Sequence, residues 1–589
     1  GGKDNKRSDE LRIRASNLEL AGLEGIRPLA AKLSPALGDV WRSTQPSGKI
    51  NTLALDIPLQ AADKTRFQAS WSDLAWKQWK LLPGAEHFSG TLSGSVENGL
   101  LTASMKQAKM PYETVFRAPL EIADGQATIS WLNNNKGFQL DGRNIDVKAK
   151  AVHARGGFRY LQPANDEPWL GILAGISTDD GSQAWRYFPE NLMGKDLVDY
   201  LSGAIQGGEA DNATLVYGGN PQLFPYKHNE GQFEVLVPLR NAKFAFQPDW
   251  PALTNLDIEL DFINDGLWMK TDGVNLGGVR ASNLTAVIPD YSKEKLLIDA
   301  DIKGPGKAVG PYFDETPLKD SLGATLQELQ LDGDVNARLH LDIPLNGELV
   351  TAKGEVTLRN NSLFIKPLDS TLKNLSGKFS FINSDLQSEP LTASWFNQPL
   401  NVDFSTKEGA KAYQVAVNLN GNWQPAKTGV LPEAVNEALS GSVAWDGKVG
   451  IDLPYHAGAT YNIELNGDLK NVSSHLPSPL AKPAGEPLAV NVKVDGNLNS
   501  FELTGQAGAD NHFNSRWLLG QKLTLDRAIW AADSKTLPPL PEQSGVELNM
   551  PPMNGAEWLA LFQKGAAESV GGAASFPQHI TLRTPMLSL

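Results

Sequence analysis

The sequence predicts a mainly β protein with strands in mostly antiparallel order, and two observations carry that prediction. The first is the stretch Leu253–Leu267, LTNLDIELDFINDGL, whose centre alternates without a break. Leu256, Ile258, Leu260 and Phe262 fall on one parity, and Asp257, Glu259 and Asp261 fall on the other. Successive side chains of a strand point to opposite faces, so one face is apolar and the other acidic. The second observation is recurrence. Residues Leu372–Leu386, LKNLSGKFSFINSDL, repeat the pattern 119 positions later. Across the 31 aligned positions from Val237 to Leu267 there are 12 identities. They include Leu239-Arg240-Asn241 with Leu358-Arg359-Asn360, and Phe262-Ile263-Asn264 with Phe381-Ile382-Asn383. The chain is therefore built from modules.

Taken in order, the polar lead GGKDNKRSDE gives way to LRIRASNLEL, where Leu11 and Ile13 oppose Arg12 and Arg14. Pro28, Leu29, Leu33 and Leu37 then stand at helical spacing, with Gly38 placed to stop the helix. The strand GKINTLALDIPLQ follows, with Leu53, Leu55 and Ile57 on one face. Its ending, Leu-x-Leu-Asp-Ile-Pro-Leu, returns at Leu339–Leu345, again after a Pro-Leu-x-x-x-Leu segment at Pro317–Leu326. Further strand patterns lie at Ala127–Trp131, Leu215–Tyr217, Leu296–Ile302, Val415–Leu419, Ile463–Leu469 and Val490–Val494. Asn, Asp, Gly and Pro separate nearly all of them, as hairpin turns require.

Helical patches are few and short: Leu74–Leu82, Asp196–Ile205, Leu318–Leu326, Pro432–Leu439 and Ala556–Phe562. The part from Pro168 to Pro225 holds Trp169, Trp185, Tyr187, Phe188 and the helix KDLVDYLSGAI, and reads as a helical cap or elbow joining two runs of sheet. LPSPLAKPAGEP (Leu476–Pro487) is a Pro-rich connector. These boundaries divide the chain into modules 1–167, 168–225, 226–347, 348–475 and 476–589.

Composition excludes several classes. A formal charge of −14 and a pI near 5.2 argue against nucleic acid, whose phosphates need a basic surface. The chain has no cysteine, so it has neither disulfides nor thiolate metal sites. No apolar run reaches the length of about 18 residues that a membrane-spanning helix needs. The chain opens without Met or a signal peptide and closes on the strand-like ITLRTPMLSL, which suggests a piece of something longer.

A long sheet with one apolar face must remove that face from water, because exposed hydrocarbon costs roughly 25 cal/mol per Å². A second sheet could cover it, giving an array of closed β-sandwiches with a structural or carbohydrate-binding role. The sheet could instead curl into a trough filled by lipid acyl chains. Periodicity alone leaves both open.

The segment KDLVDYLSGAIQGGEADNATLVYGG, followed by FPYKHNEGQFEVLVPLRNAKFAFQPDWPALTNLDIELDFIND, resembles the middle region of the AsmA-like family of envelope proteins. The resemblance extends over essentially the whole chain. It implies an elongated, twisted sheet curved into a hydrophobic groove (a repeating β-groove), with short helices at the module joints. It further implies a non-enzymatic, bridge-like carrier of phospholipid between the inner and outer membranes of a Gram-negative envelope, supporting outer-membrane lipid homeostasis. Such a protein would stand in the periplasm, anchored in the inner membrane by a helix that this chain does not contain. Partners would be phospholipid, the two membranes and envelope proteins; no cofactor is implied.

Lining residues follow from apolar parity. In the first half they are Leu53, Leu55, Ile57, Val235, Val237, Leu239, Phe244, Phe246, Leu256, Ile258, Leu260 and Phe262. Next come Leu339, Leu341, Ile343, Val356, Leu358, Leu363, Ile365, Leu375, Phe379 and Phe381. The set ends with Val415, Val417, Leu419, Ile463, Leu465, Val490, Val492 and Val494.

A search for catalysis finds little. There is no Gly-x-Ser-x-Gly elbow, no HExxH and no GxxxxGK[ST]. Gly304-Pro305-Gly306 reads as a turn. The eight His are scattered, and His340 sits on the polar parity of its strand. Asp257, Glu259 and Asp261 could attract Ca²⁺, but alternate strand residues lie roughly 6.6 Å apart, too far for one ion. A hydrated outer face accounts for them. Trp71, Trp76 and Trp79 cluster, as sugar-stacking residues do, but Trp is also ordinary filler in β structure.

Overall fold

The computed structural model describes residues 9–28, 35–80, 82–568, 574–575 and 579–588. The protein is mainly β, with few short helices, as the sequence predicts. It comprises two compact units. Unit 1 is Gly1–Asn275, Ser282–Ala300 and Leu341–Val350; unit 2 is Leu276–Ala281, Asp301–His340 and Thr351–Leu589. Among the described residues no helix is long and apolar enough to cross a membrane.

Unit 1 begins with β1 (Glu10–Glu19), β2 (Ser47–Pro58), β3 (Arg66–Trp76), β4 (Ala85–Ser95) and β5 (Asn98–Met110). It continues through β6 (Leu120–Asn134), β7 (Gly137–Ala149), β8 (Val152–Pro163) and β9 (Trp169–Thr178). Then come β10 (Ile205–Gly219), β11 (Gln232–Phe244), β12 (Leu253–Ile263) and β13 (Gly266–Leu276). Each pairs antiparallel with the next in sequence, so the sheet grows by simple addition. The Pro168–Pro225 segment contributes strands β9 and β10 to that run, with its α-helices confined to the excursion between them. Strand β13, through its last residue Leu276, and strands β14 (Val279–Ile288), β15 (Lys295–Pro305) and β17 (Asp334–Pro344) have residues in both units; β16 (Leu329–Asp332) lies in unit 2.

In unit 2, β18 (Thr351–Ile365) pairs with β19 (Ser370–Ile382), whose two ends meet β20 (Asp385–Ser388) and β21 (Leu391–Trp395). Both of those meet β22 (Gln398–Glu408), which pairs with β23 (Ala412–Trp423). A pair of three-residue strands, β24 (Leu439–Gly441) and β27 (Val472–Ser474), stands apart from the run. The run itself goes on through β25 (Val443–Pro454), β26 (Thr460–Asp468), β28 (Ala489–Asn497), β29 (Ser500–Ala507), β30 (Asn511–Leu519) and β31 (Leu523–Ala531). The order then changes. β32 (Gly545–Asn549) lies parallel to β31, and Ile580–Arg583 lies parallel to β32. A parallel neighbour needs a crossover connection, which alternation within a strand does not signal.

Bulges interrupt several strands. Asn17, Asp73, His87, Gln107, Asn144, Asn241 and Asn255 each hold a left-handed backbone. Their strands show register shifts beside several of these residues, at Trp71/Leu74, Gly142/Ile145 and Leu239/Ala242. A bulge adds a residue to one strand, bends it and advances the parity by one. This corrects the helix expected at Leu74–Leu82, of which Leu81 lies outside the described residues. Trp71 and Leu74 share a face three residues apart because Asp73 bulges out, and that spacing imitates a helix. The helix expected to end at Gly38 instead spans Pro35–Thr44, while Leu29 and Leu33 lie outside the described residues. Glycine in a helix interior costs about 1 kcal/mol against alanine, which weakens a helix without ending it. The short helices Lys195–Ala204, Ala324–Glu328, Glu433–Asn436 and Gly555–Glu568 fall where the sequence places helical patches.

Candidate functional site

Strand register assembles one apolar face in unit 1. Ile13, Leu55, Phe67, Gly94, Gly99, Trp131, Leu140, Tyr160 and Leu170 stand directly opposite one another, strand to strand, from β1 to β9. A parallel row runs through Leu53, Ala69, Leu92, Leu101, Ile129, Gly142, Phe158, Ile172, Tyr217 and Phe233. Most of these side chains are half-buried, so the face is apolar and still open. From β11 onward it closes: Leu256, Ile258 and Leu260 are 1%, 5% and 3% exposed.

The closing element is the helical excursion between β9 and β10. The helix Lys195–Ala204 buries Leu197, Val198 and Leu201 completely, and Phe188 just before it sets its ring 6.1 Å from that of Phe262. Arg117, in the connection between β5 and β6, clamps the excursion to that connection, reaching Glu190 at 2.7 Å and Asp199 at 2.6 Å. Its guanidinium holds the Glu190 carboxyl below the usual carboxylate range.

Unit 2 repeats the arrangement with different parts. Val335, Val356, Leu358, Leu372, Leu375, Leu391, Leu400, Val402 and Leu419 form a buried cluster, with Leu363, Ile365, Phe379, Phe381 and Val417 packed against it. The helical segment around Leu322 lies on the same face, packing with Phe313 and Leu318 against Tyr413, Val415, Ile451 and Leu453. Further along the run the face opens. Val449, Ile463, Val494 and Leu503 stand opposite one another and are half-buried, as are Leu465, Val490 and Val492.

The predicted lining residues therefore fall on the apolar face of their strands, in two environments. Leu53, Leu55, Ile57, Val235, Val237, Ile463, Leu465, Val490, Val492 and Val494 are half-buried. Leu239, Phe244, Leu256, Ile258, Leu260, Leu341, Ile343, Val356, Leu358, Leu375, Val415 and Leu419 are buried. Phe246 lies beyond the end of β11, beside Trp250. Aromatic members missed by parity reading include Phe67, Trp131, Phe158 and Phe513. Their signal is a glycine in the neighbouring strand, visible only once register is known.

The opposite face is polar and ion-paired. Arg159 meets Asp141 at 2.6 Å, Lys270 meets Glu259 at 3.7 Å and Asp257 accepts from the Asn241 amide at 3.2 Å. Asp261 is the exception. Burial, then the neighbouring Glu234 carboxyl, pushes it up to about 7. Among the described residues no three His, Asp or Glu side chains gather as a metal-binding group. Trp71 and Trp76 lie on the apolar side, packed on Phe88.

Two runs of sheet, each with one apolar face partly left open, define a mainly β protein with an extended apolar surface. The chain matches the family model described as YhdP protein over residues 3–589 and belongs to the YhdP family. No solved structure matches it.

Proposed function

We propose that this chain carries phospholipid along its apolar face, as one part of a bridge that passes lipid between the inner and outer membranes. The observation that supports this most directly is the open part of the face, from β1 to β9 in unit 1 and from β25 to β29 in unit 2. A closed sandwich would bury those rows under a second sheet. Here Leu53, Leu55, Ile463 and Val494 keep part of their surface exposed. Hydrocarbon left open over so many strands is costly in water and marks a binding surface.

Acyl chains lie against that face while the headgroup stays in water at its edge. Contacts of this kind have no direction, so lipid slides, and net flow comes from a gradient or a partner. No bond is made or broken, and no cofactor is needed. Membership of the YhdP family fits a place in the periplasm of the cell envelope.

The test is to purify the chain from cells, extract it with organic solvent and search for phospholipid by mass spectrometry. Stoichiometric phospholipid is the expected result. Protein that emerges without lipid, and takes none from vesicles, would sink the proposal.

A further inference from the structure

The open face is not lined evenly by upright side chains. Glycines recur directly opposite aromatic residues: Gly99 faces Trp131 and Gly142 faces Phe158 in unit 1, and Gly505 faces Phe513 in unit 2. In each pair the ring lies down over the glycine. A Cβ placed on Gly99 would fall 2.1 Å from Trp131 Cζ2. On Gly142 it would fall 2.2 Å from Phe158 Cε1, and on Gly505 it would fall 2.0 Å from Phe513 Cζ. The rings thus occupy space that any other residue fills with its own side chain.

Phe67 shows how far this goes. It stands on β3 and Trp131 on β6, with Gly94 and Gly99 between them. Three strand spacings put their backbones about 14 Å apart. Yet the ring centroids are 6.1 Å apart with planes within 19° of each other. The two rings meet above the glycine pair and tile the floor. Gly175 and Gly218, on the polar face, have no such partner, since nothing lies within 4 Å of a Cβ at either.

We infer that these glycine–aromatic pairs set the calibre of the groove, and so select acyl chains by their bulk. The inference rests on the lipid-carrying reading above. A large ring held flat against the sheet leaves its own height free for hydrocarbon. A methyl group on the glycine lifts the ring into that space. Packing of rings on sheet glycines also stabilises sheets in general, so stability alone does not distinguish selection from mere packing. Selectivity does.

The experiment loads the purified, delipidated full chain from vesicles holding equal amounts of two phosphatidylcholines. One carries a bulky pyrenyl acyl chain, the other only ordinary acyl chains. The bound ratio of pyrenyl to ordinary lipid is read by mass spectrometry. Gly99→Ala and Gly505→Ala are expected to lower it about tenfold, the lower end of what one methylene discriminates in an apolar site. Trp131→Leu is expected to raise it, and Gly175→Ala to leave it at the parent value. A ratio unchanged in Gly99→Ala, Gly505→Ala and Trp131→Leu, whatever happens to melting temperature or total lipid, overturns the inference. Where Gly99→Ala does not fold, Trp131→Leu decides. A parent that binds neither lipid fails the lipid-carrying reading itself, and the inference falls with it.

Discussion

Asp261 shows how a side chain on the polar face can still carry a cost. It continues the acidic row of β12, but its Oδ1 is buried without a hydrogen-bond partner and Glu234 lies beside it. Burial is the largest cause of its raised pKa, the Glu234 carboxyl adds to it, and Lys270 opposes. The sign of the consequence follows from linkage. Between the ordinary value of 3.8 and about 7, the folded chain holds a proton that the unfolded chain has released. Stability from this group is therefore lost as pH rises through that window. Asp261→Asn should remove the slope, so thermal melts of parent and variant from pH 4 to 8 should diverge most at the alkaline end. Parallel curves would show that the group is paired or solvated. The sequence displayed Asp261 as one more hydrated carboxylate, because its neighbour Glu234 lies on a different strand.

At the scale of elements, the internal repeat is a repeat of turns and bulges as much as of a hydrophobic pattern. Three of its identities are asparagines: Asn241 with Asn360, Asn255 with Asn374, and Asn264 with Asn383. All six hold a left-handed backbone, which asparagine tolerates better than most residues. Their hydrogen bonds match as well. The Phe233 amide donates to Asn264 Oδ1 at 2.9 Å, and the Ala352 amide, 119 residues on, donates to Asn383 Oδ1 at 2.9 Å. The Asn241 amide donates to Asp257, and the Asn360 amide to Ser376. Each hairpin tip is thus pinned to the strand before it. Asn264→Ala and Asn383→Ala should loosen that tip locally. Amide exchange at Phe233 and at Ala352, respectively, should rise about 5–30-fold, equivalent to about 1–2 kcal/mol. Exchange at the parent rate in both would show that the side chains pin nothing.

For the whole molecule, the proposed transport along the apolar face requires its parts to act in series. A carboxylate in an acyl path carries a desolvation cost of several kcal/mol, so one obstruction should stop flow wherever it is placed. Leu55 in unit 1 and Leu465 in unit 2 suit the test, since both are half-buried and a charge there can reach water without unfolding its strand. Ile258 and Phe381 suit it less, because Ile258 is buried and Phe381 packs against the buried cluster. Leu55→Asp and Leu465→Asp should each abolish lipid transfer between donor and acceptor vesicles. Each should keep a near-parent melting curve and retain lipid in the unit left intact, because repeat arrays depend mainly on near neighbours. Transfer at the parent's rate in both variants would mean that lipid does not travel this face.

Several features were legible in the sequence by itself: the strand class, the two unlike faces of β12 and β19, and the 119-residue repeat. Each is carried by residues near one another along the chain, through a period of two or a fixed offset. The tertiary structure alone decided where the apolar face is open and where helices close it, and which aromatic rings lie flat. It also revealed the parity shift at Asp73, which a linear reading takes for a helix, and the parallel order beyond β31. Those features depend on which strand stands beside which and in what register. Trp131 becomes part of a smooth floor only because Gly99 is its partner, and pairing across strands leaves no mark on the local pattern of either one.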